Sequence, residues 1–511
     1  MTKTDLKMSI AASIAGYSAI IALLVLFIIF IWITLKVHWV HKKYQHIPSV
    51  PRPSFYLGHS KYMNEVFGND DSDKTFEMLM YEWYKELGPV FCFQIFTVTM
   101  VIVLDPKGVK DIMLNTSHPK AALSYKVFKK VFGARFTPHS LVAEIDHDKW
   151  HKQRVILDVP FRRRFLKDFM TPFNASTNLL IEKLSDKADG KTEVRLADHF
   201  NRCTLDVIAK VAFSLDLGII ENENSYFNQA ILTALRGMRK SATAYSMMDM
   251  RSSARKFRQD VRNAVQTIRD TGRECINKRI DDINRGDVPE DVLTYIIKAG
   301  QEVEGNDEEK MEVMIDQFAT FFVAGQETTA NMLSFTVIAL CRHPEILHRL
   351  KTEVDAVLGE RVDVTYEDIN KMGYMMQVLK ESLRIWTPVA GTMRELKSDV
   401  QVMGHNIPAD SLILISMFGL GRMEEYFHNP DEFDPDRFTS DEVTHFTYFP
   451  FSLGARNCIG QHFALIEARV ILARLIQAFH CELVPGQEFK VLSEITLKPK
   501  DGCKVFIQPR N

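Results

Sequence analysis

Between residues 8 and 35 this chain runs for 28 residues without one charged side chain, and Ile, Leu, Val, Phe and Ala dominate the stretch. A helix needs roughly 20 such residues to cross a bilayer. A secretory signal has a shorter apolar core, about 7–15 residues, ahead of a small-residue cleavage site. Here the small residues, from Ala11 to Ala15, come before the most apolar part. An uncleaved transmembrane anchor over 8–35 is therefore expected, with a helix buried in a soluble core as the alternative. Lys36, Lys42, Lys43 and Arg52 follow the span, while Lys3 and Lys7 precede it, so the basic bias puts the body in the cytosol. Asn115-Thr116-Ser117 and Asn174-Ala175-Ser176 match the N-glycosylation pattern, which a cytosolic domain never presents to that enzyme.

Pro48, Pro51 and Pro53 stiffen what reads as a basic, proline-rich linker over 36–55. The rest, 56–511, reads as one domain, since no Gly/Ser-rich linker and no repeat divides it. The formal net charge of −2 gives a nucleic-acid partner no electrostatic support. The seven cysteines are scattered without a CxxC pair, which points to reduced thiols rather than a disulfide framework or a zinc site. Amphipathic helical patterns fill the middle of the chain. Residues 90–95 and 99–104 are β-branched and aromatic runs that pair as a small sheet. Residues 300–309 read as a polar loop, and 311–341 as a helix too long and apolar for the surface, crossing the core.

Four short motifs carry chemistry. Phe451-Ser452-Leu453-Gly454-Ala455-Arg456-Asn457-Cys458-Ile459-Gly460 puts a cysteine in a glycine-containing loop before a long helix. The positive end of that helix favours a thiolate, and glycines let backbone approach a flat ligand. A buried structural cysteine is the plainer reading. Glu381-Ser382-Leu383-Arg384 sets acid and base three apart on a helix face, alone no more than a surface ion pair. Ala324-Gly325-Gln326-Glu327-Thr328-Thr329 is a polar patch in an apolar helix, costly unless used. A kinked helix with satisfied hydroxyls is its plain reading. Trp150-His151-Lys152-Gln153-Arg154 is weak by itself, and Lys149 and Lys152 there read equally as a basic docking face for an acidic partner or as a solvated charge run.

Together these motifs resemble the cytochrome P450 family. Residues 451–460 match its FxxGxRxCxG signature position for position, and all four motifs fall in family order. The resemblance implies a cytochrome P450 fold, mainly α with small β-sheets, behind a single N-terminal transmembrane helix. It implies a monooxygenase with heme b as cofactor and Cys458 as the iron ligand, whose thiolate pushes electron density onto the metal. Arg456, Trp150, Arg154 and Arg394 are implied to reach the haem propionates, and Phe451, Gly460 and Gly325 to lie against the haem. Glu381 and Arg384 are implied to join Arg437 in a buried triad that holds the cysteine loop, because buried charges persist only when paired. Thr328 and Glu327 match the family's AGxET motif, which implies that they hold water and pass protons to the oxygen being reduced. Electrons are implied to come from NADPH through NADPH-cytochrome P450 reductase, with O2 as co-substrate, at the endoplasmic reticulum membrane.

Further stretches resemble the cholesterol 24-hydroxylase branch of the family: Tyr44-Gln45-His46-Ile47-Pro48, Leu483-Val484-Pro485-Gly486-Gln487 and Thr496-Leu497-Lys498-Pro499 among them. That implies a sterol substrate such as cholesterol, hydroxylated on its side chain. Residues 124–138, 238–258 and 387–392 depart from that branch. Met247, Met248 and Met250 read as a flexible apolar surface or as a lipid-facing substrate entry. Candidate pocket residues are Phe128, Phe132, Phe321, Ala324, Val389, Ala390 and Thr496. The other substrate class is fatty acids or xenobiotics. A non-catalytic haem-binding protein is the reading outside catalysis; the Glu327-Thr328 pair argues against it, because a carrier needs no proton delivery.

Overall fold

The structure, a computed structural model, describes residues 3–67, 74–222, 225–241, 249, 251–286, 288–439 and 443–510, with side chains from residue 14 onward. Met247, Met248 and Met250 lie outside the described residues.

The first helix, α1 (Lys3–Tyr44), contains the one candidate membrane span among the described residues, Ile14–Tyr44. Its apolar side chains, such as Leu24, Phe27 and Ile28, are exposed. The alternative of a helix buried in a soluble core is therefore not what forms. The helix also does not stop at residue 35. Val37, Val40 and Tyr44 recur at helical spacing and are buried against the body, so part of the expected linker is a continuation of α1. No helix breaker intervenes before Pro48.

The body is mainly helical. Its named helices are α2 (His147–Leu157), α3 (Leu196–Phe213), α4 (Tyr226–Ser241), α5 (Ser252–Asn284), α6 (Asp307–Arg342), α7 (Gly373–Ile385) and α8 (Gln461–Ala478). The strands that matter here are β1 (Val90–Ile95), β2 (Val98–Val103), β3 (Gly391–Glu395), β4 (Leu412–Ser416), β5 (Val491–Ser493) and β6 (Leu497–Pro499). One sheet has the order β1-β2-β4-β3. β1 pairs antiparallel with β2 (Val90 opposite Val103), β2 runs parallel to β4 (Met100 opposite Leu412), and β4 is antiparallel to β3 (Ser416 opposite Gly391). β5 and β6 form a separate antiparallel hairpin.

Helix α6 is the axis of the molecule. It packs against α3, α5, α7 and α8, and from Val313 to Leu340 nearly every side chain is buried. Phe322 stacks on Phe213 of α3 and Phe318 lies tilted against it, both at 4.6 Å. The helix starts earlier than the apolar pattern alone suggests. Asn306 caps it through a reciprocal pair with Glu309, and Asp307, Glu308 and Glu309 sit in its positively polarised first turn. Residues 307–309, expected in a loop, are therefore helical. The helix ends at Arg342, before Pro344 opens the next one.

Candidate active site

The cysteine loop reverses the chain just ahead of α8. Ser452 and Gly454 both take left-handed backbone (φ +64° and +71°). A Cβ at Gly454 would lie 2.5 Å from the Met113 carbonyl oxygen, so glycine is needed there for both conformation and space. The reversal lets the Cys458 N–H donate to the Phe451 carbonyl at 2.8 Å. The Cys458 side chain is exposed, yet burial by surrounding protein pushes its thiol up, with the Gly460 amide and Arg154 acting the other way. An exposed sulfur deep among protein atoms opens on an internal cleft.

The same pattern occurs on α6. In its buried length, Ala324 is exposed, and Gly325 and Thr328 are half-buried. A Cβ at Gly325 would meet Ile208 of α3 at 3.2 Å, so the helix here lies close against its neighbour. The Thr328 hydroxyl donates back to the Ala324 carbonyl at 2.9 Å. The expected kink does not break the helix, which runs unbroken through the motif. Val389, after α7, is 43% exposed, and Phe451 and Gly460 are half-buried.

Positive charge gathers beside this cleft. Arg394 on β3 is buried and donates to Thr392 Oγ1 at 3.0 Å. Lys120 forms a backbone bridge to Arg394, which sets the two side by side. Arg456 reaches the Glu144 carbonyl at 2.7 Å and lies over the ring of buried Trp150, 3.9 Å from its centroid. Arg154 of α2 grips the cysteine loop, donating to the Asn457 carbonyl at 2.8 Å and to Asn457 Oδ1 at 3.0 Å, while its Nε holds Asp158 at 2.7 Å. Burial, then Arg394, Arg456 and Arg154, hold the Lys120 ammonium well below the usual lysine range. Burial, then Arg394, pulls Arg456 down to about 10. Four cations from four segments thus repel one another, and the acid facing Arg456, Glu144, is already bound to His139 at 3.2 Å. Such a cluster calls for an anion.

The support beneath the loop is built on α7. Glu381 takes a bidentate pair from Arg384 at 2.7 and 2.8 Å and a third bond from Arg437 Nε at 3.0 Å. The Glu381 and Arg384 side chains are fully buried. Their remaining polar atoms bind backbone: Arg384 reaches the Gly421 and Glu432 carbonyls, Arg437 reaches those of His428 and Asn429, and Asp434 N–H donates to Glu381. Tyr448, on the approach to Cys458, donates to the Lys380 carbonyl at 3.0 Å, which ties the cysteine loop to this triad.

A family model described as Cytochrome P450 matches residues 48–505. The chain belongs to the cytochrome P450 family. Relatives of this cytochrome P450 include Cytochrome P450 4d2 of Drosophila melanogaster, 29% identical over 80% of this chain and 84% of the relative. Cytochrome P450 4A10 of Rattus norvegicus is 27% identical over 97% of both chains, and Cytochrome P450 4Z1 of Homo sapiens 27% over 79% and 81%. The fold is that of the crystal structure of the cytochrome P450DA heme domain, with a TM-score of 0.77 at 24% identity, covering 91% of this chain and 98% of that one. The chain is thus a monooxygenase whose cofactor is haem held by a cysteine thiolate, with O2 and NADPH as co-substrates through a reductase.

The residues present fit that group. The chain offers one exposed thiol, a close-packed glycine on α6 between the open Ala324 and Thr328, and a cluster of cations suited to two carboxylates. Sequence reasoning missed Lys120, which sits in no motif and meets the arginines only in space, Arg394 through the β3 bridge. Of the expected pocket residues, Ala324 and Val389 are exposed, and Phe128 and Ala390 are half-buried. The other three are buried. Phe321 stacks on Phe161 at 5.7 Å, Phe132 meets Phe257 of α5 edge-on at 6.1 Å, and Thr496 accepts a hydrogen bond from Asn331 at 3.0 Å. Glu327 is buried, and its carboxyl turns to Lys498 and Thr496 rather than to Thr328.

Proposed function

We propose that this monooxygenase hydroxylates a membrane-dissolved lipid on its apolar chain, with Cys458 as the iron ligand. The observation that carries this reading is the cleft itself: an exposed thiol and an exposed strip of α6, beside four clustered cations, in a chain that begins with an exposed apolar helix. When bound, the haem supplies the oxidising chemistry, so that RH + O2 + NADPH + H⁺ gives ROH + H2O + NADP⁺. The chain's own residues bind, orient and deliver protons. Lys120, Arg394 and Arg456 would neutralise the haem carboxylates, with Trp150 beneath the Arg456 guanidinium and Arg154 fixing the loop at Asn457. Phe451, Gly460 and Gly325 would leave room for a flat group to approach closely. Glu381, Arg384 and Arg437 keep the loop in register through Tyr448. Thr328, with its hydroxyl proton committed to Ala324, presents oxygen lone pairs to water in the cleft, and Glu327 is the acid that replenishes the proton. Ala324 and Val389 face the substrate. Anchoring in the endoplasmic reticulum membrane puts the cleft within reach of both a lipid and a membrane-bound reductase.

Two lipid classes fit. A fatty-acid chain is favoured by the likeness to cytochromes P450 of series 4, such as 4A10, aligned over 97% of this chain. A sterol side chain, as in cholesterol, is favoured by the short matches that include Thr496-Leu497-Lys498-Pro499. The deciding experiment gives the purified protein, with reductase and NADPH, palmitic acid or cholesterol, and identifies products by mass spectrometry. A hydroxylated fatty acid supports the first class and a side-chain hydroxycholesterol the second. A haem-loaded protein that oxidises neither would overturn the lipid reading.

A further inference from the structure

The acid beside Thr328 in sequence has other partners in space. Glu327 is 4% exposed. Its carboxyl lies 3.6 Å from Lys498 Nζ and is hydrogen-bonded to the Thr496 side chain, both from the β5–β6 hairpin. Asn331, one turn further along α6, holds Thr496 as well, so the hairpin is pinned to the helix at this point. Lys498 is also paired with Glu494, and Arg239 of α4 reaches Glu494 at 3.3 Å. Charges alternate along Glu327, Lys498, Glu494 and Arg239. The Glu327 side chain is 6% exposed and that of Lys498 is 27%, while Glu494 (9%) and Arg239 (17%) are more enclosed, so water reaches the buried acid's row at Lys498.

A carboxyl enclosed by a helix and a hairpin gives up its proton once and then needs a route to regain it. Lys498 touches both the acid and the solvent side. Its ammonium has three rotatable donors on a flexible stem, enough to hold Glu494 and Glu327 together. Burial pushes the Glu327 carboxyl up, and Lys498 acts against that. The charged groups that face Glu327 are Lys498 and Glu494, both from the hairpin.

We infer that Lys498 is a positioning residue for Glu327: it holds the acid on the hairpin side, joined to solvent, between successive deliveries of a proton to Thr328. This rests on the reading of Thr328 and Glu327 as the proton-delivering pair. The transfer balances without electrons. A proton passes from hydronium to the Glu327 carboxylate, leaving water. The carboxyl then rotates and gives that proton to Thr328 Oγ, while the Thr328 hydroxyl turns away from the Ala324 carbonyl and passes its own proton to a water in the cleft, leaving hydronium there. Lys498 remains an ammonium throughout.

The test uses full-length, haem-loaded protein and the variants Lys498→Met, Lys498→Arg and Glu327→Gln. Infrared difference spectra assign the Glu327 carboxyl band as the one lost in Glu327→Gln, and its titration is followed in each variant. Lys498→Met removes the opposing cation, so the midpoint moves up by about one pH unit or more, and Lys498→Arg restores it. In parallel, peroxide released per NADPH oxidised in the presence of palmitic acid or cholesterol rises severalfold in Lys498→Met and not in Lys498→Arg. Should Lys498→Met fail to load haem, Glu494→Gln serves instead. It keeps the lysine and removes a like charge, so the Glu327 midpoint moves down. A midpoint and peroxide ratio unmoved by these changes, with Glu327→Gln still raising peroxide, overturns the role of Lys498 alone. If Glu327→Gln also leaves peroxide unchanged, the proton-delivering pair falls with it.

Discussion

At Lys120 the sign of the electrostatics reverses with what is bound. Its ammonium donates to the Val142 carbonyl at 2.9 Å and lies 4.4 Å from the Tyr125 ring centroid, but burial and the charges of Arg394, Arg456 and Arg154 all pull it down and outweigh these contacts. Beside a bound carboxylate it becomes a charge-assisted donor, worth about 1.5–3 kcal/mol. Lys120→Met should therefore melt no earlier than the parent as apoprotein, yet release haem to apomyoglobin roughly tenfold faster or more. Unchanged release would remove Lys120 from the site. At Cys458 the expectation concerns atom type. Cys458→Ser replaces sulfur by a harder oxygen donor, so the reduced carbon-monoxide spectrum typical of thiolate ligation should vanish; its persistence would move the ligand elsewhere. Cys458, Arg456 and Arg384 were legible because motif and spacing name them. Lys120 was not, since its partners lie on α2, β3 and the cysteine loop and nothing local marks it. Glu327 was legible as an acid on α6 and not in its direction, which the distant β5–β6 hairpin decides.

At the scale of elements, the Glu381 carboxylate joins α7 to the segment that ends at Arg437. Glu381 collects two arginines and the Asp434 amide, and each arginine spends its other donors on carbonyls of the 421–432 segment. Replacing the carboxylate leaves two guanidinium groups with no buried counter-charge, a loss of about 3–5 kcal/mol. Glu381→Gln keeps the shape and removes the charge. It should give protein with a low haem-to-chain ratio and early thermal unfolding, measured by absorbance and calorimetry. A normal ratio and melting point would show that backbone bonds suffice. Helix α6 was readable from its length of apolar residues, and β1 with β2 from their β-branched runs. Which side each α6 aromatic faces was not: Phe321 is one turn from the exposed Ala324, yet Phe161 stacks on it and takes it into the core. Periodicity names a stripe, while its partners come from other segments.

For the whole molecule, the anchor and the body share a boundary that lies inside α1. Its apolar stretch up to Trp32 is exposed, so it can leave without opening the core. The last turns cannot. Val37 and Val40 are buried, Tyr44 Oη and Ser411 Oγ are 2.9 Å apart, and Lys43 Nζ donates to the Ala409 carbonyl at 3.0 Å. Each buried valine contributes roughly 1.5–3 kcal/mol, a sizeable part of a total stability of about 5–15 kcal/mol. Two truncations separate these roles. A chain starting at residue 36 should appear in the soluble fraction after alkaline extraction and melt close to the full-length protein. A chain starting at residue 45 loses both valines and Tyr44, and should melt distinctly lower and load less haem. Equal melting would show that the end of α1 is only a tether. If the chain from residue 36 stays with the membrane, a second contact exists, and exposed Phe55, Leu57 and Phe96 are the side chains to change next.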